Sequence, residues 1–136
     1  MPADAGWVSS GVTVAAGVPV SLVTLGYVQT ALIPAWHVPG VFKSASGPAG
    51  QTTQPTCGEV YATWTPELQA QTGPCVLDSA YWGELIAKVG GTGTPFLVGD
   101  TRAITPPSSG VLLFTIGELQ NTYFDNRGAF IVLFDD

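Results

Sequence analysis

The chain has 136 residues, 46% of them hydrophobic and only 10% charged, with a net charge of −6. Soluble domains average roughly 25% charged residues, so hydroxyls, amides and turns must do the solvating here. Its four cations, Lys43, Lys88, Arg102 and Arg127, are too scattered to neutralise a run of phosphates or to grip an anionic membrane, which argues against nucleic acid and membrane partners.

The length suits a single domain, residues 1–136, with a sizeable core. Seventeen Gly and eleven Pro imply many turns, and Val, Thr and Leu between them favour an all-β chain. Met1 to Gly6 has no basic region of a signal peptide. The longest apolar run, Val18 to Leu25, is interrupted by Pro19, Ser21 and Thr24 and is too short to span a bilayer.

In chain order, Val8, Val12 and Val14, a turn at Ala15-Ala16-Gly17, and then Val18, Val20 and Leu22 predict strand, turn, strand. Gly26 to Pro39 reads as a packed loop. From Gly40 to about residue 79 the chain is irregular, rich in Gly, Pro, Ser, Thr and Gln, with a short strand or helical turn predicted near Glu59 to Trp64. A strand is predicted over Ala80 to Val89, followed by a turn at Gly90-Gly91. A short strand follows at Phe96 to Val98, then a Pro-marked loop from Ile104 to Ser109. Val111 to Ile116 is a nearly unbroken apolar run, as a central strand requires, and Ala129 to Phe134 is the last strand. Six to eight short strands at this spacing predict a β-sandwich or jelly roll. Trp7, Tyr27, Trp36 and Trp82 are assigned to strands and core.

Cys57 and Cys75 flank part of the irregular stretch. A disulfide there contributes roughly 3 kcal/mol for a loop of this size; reduced thiols are the alternative, and the spacing does not suit zinc. His37, the only histidine, has no Cys or carboxylate near it in sequence and is read as structural. Trp64 is either a small satellite core under the loop or a flat platform for a sugar ring. Glu59, Glu67, Asp78, Glu84 and Asp100 include no pair that a glycosidase motif singles out, and no nucleophile elbow or phosphate loop is present. The chain is therefore read as a non-enzyme.

The densest polar chemistry lies between the last two strands. Glu118-Leu119-Gln120-Asn121-Thr122-Tyr123-Phe124-Asp125-Asn126 exceeds the two to five residues of a simple hairpin. It gathers carboxylates, amides and a hydroxyl. Calcium takes six to eight oxygens of these kinds at about 2.3–2.6 Å, so Glu118, Asp125 and Asn126 are candidate ligands; the alternative is a polar surface loop with Asp125-Asn126 as ordinary turn residues.

This segment resembles the calcium loop of the PA-I type of calcium-dependent, galactophilic bacterial lectins: an acid, three residues, Thr-Tyr, one residue, two Asn, one residue, Gly. Here these are Glu118, Thr122-Tyr123, Asp125-Asn126 and Gly128. Val12 to Tyr27 with its Gly17 turn, Trp36, and Tyr81-Trp82-Gly83 through Lys88-Val89-Gly90-Gly91-Thr92-Gly93 are similar in order to the family's paired N-terminal strands, its Trp and its central strand. The resemblance implies Ca2+ held by the Thr30 carbonyl, the Glu118 carboxylate, the Thr122 carbonyl and the Asp125 and Asn126 side chains. Two sugar hydroxyls would complete the shell, with Glu118, the Leu119 amide, Thr122 and Asp125 touching the sugar. Glu118 and Asp125 stand where the family has Asp and Asn, and its His-Pro is absent; Gln69 or Gln71 would replace its sugar-contacting Gln. The implied function is a calcium-dependent lectin for galactose or galactose-containing glycans, a homo-oligomer (dimer or tetramer), extracellular or at a cell surface. The alternatives are a calcium-stabilised structural or adhesion domain, or a carbohydrate-binding module of a larger enzyme.

Overall fold

The computed structural model describes residues 6–29, 47–50, 52, 55–117 and 127–134. Seven strands are found among them: β1 (Val8–Val14), β2 (Val20–Gln29), β3 (Leu85–Val89), β4 (Phe96–Leu97), β5 (Ala103–Ile104), β6 (Gly110–Ile116) and β7 (Arg127–Phe134). Two short helices, α1 (Cys57–Tyr61) and α2 (Pro66–Thr72), lie between β2 and β3. The all-β expectation holds, with strands joined antiparallel into a four-stranded sheet in the order β1-β6-β3-β4 and a three-stranded sheet in the order β5-β2-β7.

Both sheets contribute to one apolar core. Leu22 and Val28 of β2 and Phe130 of β7 join Leu85, Ala87 and Val89 of β3 and Leu112, Phe114 and Ile116 of β6. Each such large side chain contributes about 1.5–3 kcal/mol by leaving water. Phe114 and Phe134 meet across the two sheets with ring centroids 6.1 Å apart, tilted as aromatic quadrupoles prefer. The apolar run of Val111 to Ile116 is indeed the central strand β6, paired with β1 on one side and β3 on the other. Its neighbour Ile86 and its own Thr115 face away from the shared core yet are fully buried, so this part of the sheet is covered on both sides.

Several details differ from the sequence expectation. β1 and β2 are not a hairpin pair: β1 pairs with β6, β2 with β5 and β7. Each strand has one apolar face, and placing them in opposite sheets lets Val14 and Leu22 bury against the same core. The turn between them is real, closed by the Val18 N–H donating to the Ala15 carbonyl at 3.1 Å. Val18 itself is exposed. Gly26 to Gln29 continues β2 rather than starting a loop. Gly26 adopts φ +103°, and a β-carbon there would press on the Ala129 carbonyl oxygen of the paired strand. Tyr27, expected in the core, points outward and is exposed, because the period of two that buries Leu22 and Val28 turns odd-numbered positions to the other face. Trp82 is buried as expected, whereas Trp7 is half-buried with the Lys88 ammonium 4.3 Å from its ring centre. The strand predicted from Ala80 begins only at Leu85; before it, the Glu84 N–H closes a turn on the Tyr81 carbonyl at 3.0 Å.

The stretch expected to be irregular contains a second, smaller core. Cys57 and Cys75 are joined in a disulfide and pack with Trp82, flanked by Val60, Tyr61 and Trp64. Trp64 thus belongs to this satellite core, against the Tyr61 ring at 6.2 Å between centroids. Helix α1 starts where Thr56 and Glu59 form a reciprocal capping box. The Glu59 carboxyl is held below its ordinary pKa by the Thr56 N–H and then its hydroxyl. Pro66 at the first position of α2 supplies a helical φ and lacks only a donor the helix would leave unused.

Candidate functional site

The segment singled out by sequence bridges the two sheets. β6 ends at Ile116, and the described chain resumes as β7 at Arg127. Arg127 is the Cα partner of Gln29, the last residue of β2.

Thr30, Glu118, Leu119, Thr122, Asp125 and Asn126, the candidate calcium and sugar residues, lie outside the described residues, as do His37 and Trp36. What the structure defines is the frame around them. Thr30 directly follows and Asn126 directly precedes the two residues of one rung, Gln29–Arg127. Glu118 follows directly from Gly117, which is clamped on both sides: its N–H donates to the Glu84 carbonyl at 2.7 Å, and its carbonyl accepts from the Gly83 N–H at 2.9 Å. A β-carbon on Gly117 would collide with the Tyr81 carbonyl, so glycine is what lets β6 end this tightly against the 81–84 turn.

Gln69 lies on α2, and its side-chain amide nitrogen donates to the Tyr61 carbonyl at 2.9 Å, tying α2 to the end of α1. Gln71 also lies on α2, and its side chain is not among those described. Among the described residues no group of three or more His, Cys, Asp or Glu side chains could hold a metal ion.

One carboxylate beneath this frame carries a signal that the sequence did not reveal. Glu84 is only 8% exposed and takes a 3.0 Å hydrogen bond from the Tyr81 N–H on Oε1. Burial raises its pKa above the ordinary glutamate value; the Tyr81 N–H opposes that and the charge of Asp100 adds to it. Its backbone holds Gly117, so the buried acid sits at the foot of the 118–126 segment. In sequence it was one of five scattered acids, and only the turn preceding β3 brings it into the interior.

No family model matches the chain, and no curated protein matches it in sequence. Solved structures do match. One of them, the N-terminal domain of EclA, described as a PllA-like lectin, superposes with a TM-score of 0.58 at 18% identity, over 96% of this chain and 87% of that one. At that identity the likeness establishes a shared fold. Among the described residues no helix is long and apolar enough to cross a membrane.

Proposed function

We propose that the chain is a calcium-dependent carbohydrate-binding protein, a lectin for galactose or galactose-containing glycans, rather than an enzyme. The observation that carries this reading is that the chain shares the fold of a lectin domain and that its dense run of oxygen donors, residues 118–126, stands in sequence between the clamped Gly117 and Arg127 of the Gln29–Arg127 rung. In this reading the Thr30 and Thr122 carbonyls, the Glu118 carboxylate and the Asp125 and Asn126 side chains hold Ca2+. Two carboxylates balance the ion's charge, and neighbouring hydroxyls of a pyranose complete its shell. Glu118, Asp125, Thr122 and the Leu119 amide also bond those hydroxyls, with charge assistance where a carboxylate accepts. Gln69 or Gln71 would meet the exocyclic hydroxymethyl. The disulfide fits an oxidising compartment and so an extracellular or surface location.

Titration calorimetry with calcium and then with galactose, repeated in EDTA and on Glu118→Gln, tests the reading. Calcium binding that Glu118→Gln weakens at least tenfold, and galactose binding abolished by EDTA, are expected. Sugar binding indifferent to EDTA would overturn the calcium mechanism. Calcium binding with no affinity for any neutral sugar on a glycan array would leave a calcium-stabilised structural domain instead.

A further inference from the structure

Among the described residues Glu84 is the only buried acid, on a chain whose net charge is already −6. Burying a carboxylate costs free energy, and residues that break a folding rule in this way concentrate at functional sites. Three segments close over Glu84. The Pro48 carbonyl accepts from the next residue's N–H, that of Leu85, at 2.9 Å. A β-carbon on Gly50 would lie 2.8 Å from the Glu84 nitrogen, and one on Gly99 would lie 3.1 Å from Glu84 Oε2. The side chain is thereby confined, with Oε1 on the Tyr81 N–H.

What the carboxylate controls is the turn 81–84. Tyr81 and Glu84 are joined twice: the Glu84 N–H donates to the Tyr81 carbonyl, and the Tyr81 N–H donates to Glu84 Oε1, both at 3.0 Å. The same turn grips Gly117 from both sides, through the Glu84 carbonyl and the Gly83 N–H. The Tyr81 carbonyl lies so close to Gly117 that a β-carbon has no room there. Leu85–Ile116 is the last rung of the β3–β6 ladder. The grip on Gly117 therefore lies one step beyond the sheet, at the residue from which the segment beginning at Glu118 departs.

We propose that Glu84 is a positioning residue: by holding the Tyr81 N–H it fixes the turn that grips Gly117, and through Gly117 it sets the calcium affinity of the segment that follows. The calcium consequence rests on the function proposed above; the hold on Gly117 does not. An ionised acceptor makes a hydrogen bond roughly twice as strong as a neutral one, so the grip weakens in the order Glu, Gln, Met at this position. Stability does not follow that order, because both replacements also remove a buried charge.

Calorimetric titration of calcium into the wild type, Glu84→Gln and Glu84→Met at pH 7, well below each melting temperature, tests the proposal. Exchange of the Gly117 amide, followed by NMR without calcium, is the second readout. Glu84→Met is expected to bind calcium about tenfold more weakly, the scale of one lost hydrogen bond to a charged group, and Glu84→Gln about threefold more weakly. Gly117 exchange is expected to accelerate in the same order, although Glu84→Gln melts higher than the wild type. Both variants lose the same charge, so the difference between them isolates the acceptor. Glu84→Met binding calcium as the wild type does overturns the proposal. So does Glu84→Gln as weak as Glu84→Met, which assigns the effect to the charge. If Glu84→Met does not fold, Glu84→Gln decides alone: weaker binding with a higher melting temperature supports the role, and unchanged affinity overturns it. A wild type that binds no calcium overturns the proposed function instead. The Gly117 amide then decides, faster exchange in Glu84→Met than in Glu84→Gln supporting the positioning role and equal exchange in both overturning it.

Discussion

Replacing Cys57 and Cys75 together by Ala removes the one covalent tie in the region between β2 and β3. The bridged cysteines are 18 residues apart in sequence, and closing a loop of that length is worth about 3 kcal/mol through the entropy it removes from the unfolded chain. For a chain of this size that corresponds to a fall of roughly 10 °C in melting temperature. The structure adds where the loss should appear. The disulfide belongs to the satellite core of Trp82, Val60, Tyr61 and Trp64, whereas the sheets share a separate core. Beyond the disulfide, α1 is held to the turn before β3 by Gly58 donating to the Asp78 carbonyl and Cys57 to the Ala80 carbonyl, both at 2.9 Å. Hydrogen exchange in the double variant should therefore accelerate first at Cys57–Thr72, while the β3–β6 ladder keeps its protection. Scanning calorimetry with exchange read by mass spectrometry checks both parts. A melting temperature within about 2 °C of the wild type, or equal loss of protection in helices and ladder, would refute the reasoning.

Two further outcomes test the core and the buried acid. Phe130→Ala, at a fully buried position between the sheets, should lower unfolding free energy by about 3–5 kcal/mol in a denaturant titration, whereas Ile131→Ala on the exposed face of the same strand should cost far less. Because the pKa of Glu84 is raised in the folded state, folding takes up a proton there. Its contribution is most favourable below the ordinary carboxylate pKa and is lost as pH rises through the folded value. Glu84→Gln keeps an acceptor for the Tyr81 N–H without the charge, so it should raise the melting temperature at pH 7 and lose that advantage near pH 4; a gain that does not change with pH would sink this account.

The strands were legible because a two-residue period is a local signal. Val111 to Ile116 and Ala129 to Phe134 each have one face rich in large apolar residues, and both form strands within a residue or two of the expected limits. The turn at Ala15-Ala16-Gly17 was legible for the same reason, since its closing bond spans only three residues. The short helices were half-hidden: Thr56 and Glu59 spell a capping box, yet Gly, Pro and Thr around them mask a pattern only five residues long. Tyr27 was misplaced because hydrophobicity says that a residue prefers burial, while its parity along β2 decides which face it takes.

By itself, the sequence determined the all-β character, the position of most of the strands and the concentration of oxygen donors in 118–126, because backbone propensity, side-chain alternation and donor chemistry belong to neighbouring residues. Only the tertiary structure decided the rest. It put β1 and β2 in opposite sheets, paired Cys57 with Cys75, buried Glu84 beneath Gly117 and left Leu25, Tyr27, Ile131 and Leu133 on an open face. Each of these depends on which surfaces meet across long stretches of chain, and that choice is made by the closing of a shared core rather than by any local run of residues.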